Sequence, residues 1–216
     1  LFIAINLHSY NLSAQGSELN LFTKIDSAFN VEDYNLIIAN ESEILNHVNK
    51  HSDSISAELL YYLSDAYLAY DSIDIGLEIM QKELNVRKNL NERDPIILAD
   101  IHYNLGFFQQ KNDDFTEALS NFQQAGILYK KHLGEESSAF INNQIEISQT
   151  YGLLGNHQKA IETLENLLKK DIVKEQYQFV VNKELGMAYY GMGLYSKSEK
   201  ILEKNLTFAK INYGEK

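Results

Sequence analysis

The chain of 216 residues contains no cysteine, no tryptophan and a single proline. Without cysteine there is no disulfide, no thiolate nucleophile and no Cys-ligated zinc, and the chain suits any redox compartment. One proline among many Leu, Ile, Ala, Glu, Lys and Gln leaves room for long, uninterrupted helices. Positive charge is short too: 19 Lys and Arg stand against 30 Asp and Glu, for a net charge of −11. Such a surface repels a phosphate backbone and no basic stretch offsets it, which excludes nucleic acid as a partner. Gly191-Met192-Gly193 lacks the strand, the third glycine and the helix start of a dinucleotide site, and reads as a helix end and turn. There is no phosphate loop, serine elbow or Cys/His pair.

The candidates for chemistry each have a plainer reading. Glu43, His47 and His51 stand at i, i+4 and i+8 and could hold zinc from one helical face. A lasting site needs four ligands and no third histidine lies near, so they read as a solvated helix end where histidine charge meets the macrodipole. Asp113-Asp114 and Glu135-Glu136 read as turn caps rather than paired catalytic acids. His102 reads as a packed histidine donating to a neighbour. No catalysis, metal or cofactor is expected.

What is present is a repeated helical pattern. Residues 99–132 have the spacing of two antiparallel helices, with Leu105-Gly106 in the first and Ala118, Phe122 and Ala125 striping the second. Gly106 and Ala118 let the two backbones approach while Phe122 fills the space beside them. The small residues Gly76, Ala118, Ala160 and Ser198 recur at intervals of 42, 42 and 38, and Leu63, Leu105, Ile147 and Leu185 give the same series. Asp71-Ser72, Asn112-Asp113-Asp114 and Leu154-Gly155-Asn156 mark turns, the short polar side chains serving as helix caps. Asp94-Pro95 opens a helix, with Asp as N-cap and Pro at the first position, where a missing N–H costs nothing. Residues 18–51 hold a divergent pair, Leu19, Phe22, Ile25 and Phe29 in its first helix and Tyr34 to Val48 in a second. Residues 1–16 stand apart: an apolar run precedes Ala14-Gln15-Gly16, as in the tail of an export signal, or else forms a poorly packed leader. That run is too short to span a bilayer.

The Leu-Gly, Ala, Phe pattern resembles the tetratricopeptide repeat (TPR), whose period is about 34 residues. The longer interval here, and the connectors Leu133-Gly134-Glu135, Tyr213-Gly214-Glu215 and Leu90-Asn91-Glu92, resemble the long-repeat subfamily of kinesin light chains and bacterial multidomain proteins. The resemblance covers residues 57–216. It implies an all-α superhelix of about five antiparallel helix pairs, and a non-catalytic scaffold binding a protein or peptide on its concave face. The alternative it offers is a regulatory arm of a larger protein whose downstream domain is a caspase-like protease or a sensor kinase. An exported, periplasmic or envelope-associated location follows from the leader, with a cytoplasmic one as the alternative.

In this family, positions 2, 5, 9 and 12 of each first helix face inward. Mapped here they include Glu58, Tyr61, Asp65 and Leu68, then Asp100, Tyr103, Phe107 and Gln110. Asn142, Ile145 and Gln149 follow, then Val180, Lys183, Met187 and Tyr190, while Asn104 matches an Asn that pairs with peptide backbone. Tyr61, Tyr103 and Phe107 are the aromatic anchors. The carboxylates favour a basic or neutral peptide. Only Lys183 is cationic, so the clamp that grips an acidic chain end is not matched. The alternative is that Tyr61 and Tyr103 pack between repeats.

Overall fold

Five turns, built alike, set the architecture. A residue in the left-handed region stands at each: Glu32, Asp71, Asp113, Gly155 and Gly193, with φ of 58, 55, 62, 72 and 74°. Beyond each, an N–H reaches back five residues: Asp33 to Ala28, Ser72 to Tyr67, Asp114 to Gln109, Asn156 to Tyr151 and Leu194 to Tyr189, all at 2.8–2.9 Å. This is the Schellman closure, which satisfies carbonyls that the helix end leaves open and sends the chain back on itself. The last four turns are spaced 42, 42 and 38 residues apart, the interval of the apolar markers.

The computed structural model describes residues 16–90, 94–169, 173 and 175–213. Among them are eleven helices and no strand: α1 (Gly16–Asn30), α2 (Tyr34–Ala39), α3 (Glu41–Lys50), α4 (Ser54–Ala69), α5 (Ile73–Asn89), α6 (Pro95–Lys111), α7 (Phe115–His132), α8 (Ser138–Leu153), α9 (His157–Lys169), α10 (Glu175–Gly191) and α11 (Tyr195–Tyr213). They form five hairpins: α1 with α2 and α3, then α4–α5, α6–α7, α8–α9 and α10–α11. The leader expected over 1–16 lies outside the described residues except Gly16, which opens α1. So do Asn91-Glu92 and Gly214-Glu215 of two connector motifs.

The expected second helix of the first pair is broken. Asn40 leaves helical geometry between α2 and α3, its amide donating to Leu36 O at 2.6 Å and its oxygen accepting from Lys24 Nζ at 2.7 Å. The side chain thus competes with the backbone for a helical carbonyl. Caps are also mixed. Asp53 and Asp94 accept from Ser56 N and Ile96 N, both at 2.8 Å, with Pro95 where expected. Ser72 and Asp114 stand at the cap position without a side-chain bond; Asp114 instead accepts from Asn112 Nδ2 at 2.9 Å, and Asp113 is the left-handed residue. Glu135 pairs with Lys130 at 2.6 Å, and the N-cap of α8 is Ser137, which accepts from Phe140 N at 3.3 Å.

Close approach within pairs is as the small residues imply. A Cβ on Gly106 would lie 2.8 Å from the Phe122 ring, and one on Gly186 2.6 Å from Leu202. Ser198 takes the small position of the last pair and donates to Gly186 O at 2.8 Å. Buried Leu, Ile and Ala form a row of clusters, and half-buried Tyr61, Tyr103 and Tyr151 each touch two of them. Tyrosines tie successive pairs together: Tyr67 donates to Glu41 at 2.9 Å, and Tyr189 to Glu165 at 2.7 Å. No helix among the described residues is long and apolar enough to cross a membrane.

Candidate functional site

The first helices α1, α4, α6 and α8 line a cavity of about 760 Å³, open to solvent. Its walls carry Phe29, Tyr61, Tyr62, Tyr103 and Phe107, together with six carboxylates: Asp26, Glu32, Glu58, Asp65, Glu83 and Asp100. Among the described lining residues Arg87 is the single cation. It is spent already. Its Nε donates to Glu83 Oε1 at 2.7 Å and its Nη2 to Glu58 Oε1 at 3.1 Å, so two acids share one guanidinium. Burial pushes Glu83 up to about 7 against the pull of Arg87. Its other oxygen, Oε2, is buried without a hydrogen-bond partner.

Tyrosines hold three of the remaining four acids, Asp26, Asp65 and Asp100. Tyr129 donates to Asp100 at 2.6 Å and Tyr62 to Asp26 at 2.8 Å, and Tyr34 bonds Asp65. Burial nevertheless raises the Asp65 and Asp100 carboxyls above their usual range, because a neutral hydroxyl offsets desolvation less than a counter-ion does. The Tyr61 hydroxyl is raised by burial first and then by Asp65, Glu83, Glu58 and Asp100 around it.

Residues 97–169, from α6 through α9, match a family model described as tetratricopeptide repeat. Beyond that stretch the fold is similar to the nearly identical TPR-like repeats of a putative kinesin light chain from Podosopora anserina. There the TM-score is 0.77 at 16% identity, covering 94% of this chain and 100% of that one. BtubC (BKLC) from P. vanneervenii gives 0.70 at 15% identity over 93% of this chain and 91% of its own. The chain folds as a tetratricopeptide-repeat solenoid. The MamA protein shares the fold as well, with a TM-score of 0.66 at 20% identity over 94% of this chain and 98% of that chain. No curated protein matches in sequence.

On this TPR frame, Tyr61, Asp65, Tyr103, Asn104, Phe107 and Asn142 all line the cavity. Asn104 and Asn142 are half-buried and make no side-chain hydrogen bond to a described residue. Gln110, Gln149, Lys183 and Tyr190 lie outside it. Gln110 donates to Thr150 at 2.9 Å, exposed Lys183 pairs with Glu184 at 3.3 Å, and Tyr190, 66% exposed, meets the Tyr195 ring edge-on at 5.3 Å. Ile145 is buried in the core instead of facing inward. The two central anchors serve packing as well as the cavity. Tyr61 lies 5.7 Å from Phe29, and Tyr103 5.7 Å from Phe122.

Glu83 and Arg87 of α5 and Tyr129 of α7 reach the cavity from second helices, which position counting along first helices misses. The i, i+4 spacing of Glu83 and Arg87 was the signal available, but it also fits an ordinary surface pair. Outside the cavity, His102 Nδ1 lies 2.8 Å from Asn121 Oδ1, a packed and bonded histidine. His47 and His51 stack at 4.8 Å, with His47 Nε2 3.8 Å from Asp53. Among the described residues no group of His, Asp and Glu is placed to hold a metal ion.

Proposed function

We propose that the chain is a non-catalytic scaffold whose inner groove captures an extended segment of a protein partner, basic or neutral and carrying apolar anchors. The observation that carries this reading is one cavity combining aromatic platforms, Tyr61, Tyr103 and Phe107, with the unbonded amides of Asn104 and Asn142. Aromatic rings give contact area at small entropic cost, and an amide can donate to and accept from an extended peptide backbone. Rigid helices hold both in place, so little ordering is lost on binding.

The double variant Asn104→Ala, Asn142→Ala tests this without disturbing the core. Capture of partner by immobilised protein should fall at least about tenfold, with helical circular dichroism and melting temperature close to the parent. Unchanged capture would move the binding surface off the groove.

A further inference from the structure

We propose that the groove selects an arginine side chain of its partner, laid over Tyr61 between Asp65 of α4 and Asp100 of α6. This rests on the groove reading above and specifies what the groove recognises. Three independent features carry it. The lining holds six carboxylates against one cation, and Arg87 is already shared by Glu58 and Glu83. Glu83, 2% exposed and part of the lining, keeps Oε2 without a partner. Tyr61, with those acids around its hydroxyl, offers a ring in the same wall and makes no side-chain hydrogen bond to a described residue.

Each fits a guanidinium. Asp65 and Asp100 each accept from one tyrosine, which leaves lone pairs for further donors. A guanidinium brings five N–H groups in a plane, stacks on an aromatic ring and is less strongly hydrated than an ammonium. Its charge would relieve two carboxyls that burial holds above their ordinary range. Lysine offers a compact charge with no plane to stack and a larger dehydration cost.

The test starts with selection of a random phage-displayed dodecapeptide library on the intact chain. The strongest binder is then synthesised in three forms: as selected, with arginine replaced by lysine, and with arginine replaced by its neutral isostere citrulline. Titration calorimetry against the parent, Asp65→Asn/Asp100→Asn and Asn104→Ala/Asn142→Ala proteins follows, each first shown to melt as a folded helical protein. We expect arginine to be enriched, citrulline to weaken binding at least about tenfold, lysine to fall between, and the Asp variant to lose the difference between arginine and citrulline. Peptides that need Asn104 and Asn142 yet show no arginine preference would overturn this inference and leave the groove standing. Peptides indifferent to both variants, or no selected peptide at all, would overturn both. Asp65→Asn and Asp100→Asn made singly are the second variants should the Asp pair fail to fold, each expected to lose part of the discrimination between arginine and citrulline.

Discussion

Left-handed backbone is paid for unequally at the five turns. Glycine adopts it freely at Gly155 and Gly193, and Asp tolerates it at Asp71 and Asp113, but Glu32 holds φ of 58° with a long side chain. Glu32→Gly should therefore stabilise the chain by about 0.5–1 kcal/mol, the strain relieved exceeding the entropy glycine adds to the unfolded chain. Gly155→Ala should lose a similar amount, since nothing crowds that position and only the backbone angle opposes a side chain. Urea midpoints of the two variants should move in opposite directions. A glycine at the turn is easy to read in a sequence, whereas Glu32 gives no sign of its conformation until the chain around it is closed. The same holds for Asn40, which breaks the first pair and whose oxygen accepts from Lys24, 16 residues away.

Within a hairpin and between neighbouring hairpins alike, the spacing of helices is set by residues with little or no side chain. A Cβ added at Gly76 would fall 2.3 Å from the ring of Phe108, which is 2% exposed and has nowhere to turn. Overpacking of that kind costs about 1–3 kcal/mol, more than the roughly 1 kcal/mol of helix propensity that alanine returns. Gly152, also helical, meets nothing within 4 Å. Gly76→Ala should lower the melting temperature and Gly152→Ala should raise it, a contrast calorimetry resolves directly. The last four hairpins and their pairing were legible beforehand because Gly76, Ala118, Ala160 and Ser198 recur at one small position in each. The groove was legible only in part. Tyr61, Asp65 and Asn104 follow from their place on first helices, but Glu83 and Arg87 belong to the buried side of α5, and only packing shows that this side is also a groove wall.

Across the whole molecule, buried acid outweighs buried base, which gives the fold a pH dependence. Glu83, Asp65, Asp100 and Glu146 all have carboxyls raised by burial, Glu83 to about 7. A group that binds its proton more tightly when folded favours the folded state below its unfolded pKa, and that contribution fades as pH rises through the folded value. Melting temperature should therefore climb as pH falls from 8 to about 5. Below about 4 the trend reverses, because Asp53 and Glu165, with carboxyls held low, lose their contribution there. Glu83→Gln should flatten the climb between pH 8 and 5.5. For a chain of this size each kcal/mol corresponds to about 2–4 °C, so a differential scan across that window reads the effect.

The row of matching turns has a practical corollary. Asp71 and Asp113 are exposed apices at equivalent places in neighbouring units, and the chain contains no native thiol to compete for a label. Single cysteines installed there would carry a donor and an acceptor dye at sites one unit apart. Energy transfer between them would then work as a ruler for flexing of the stack, read while a ligand is titrated into the groove.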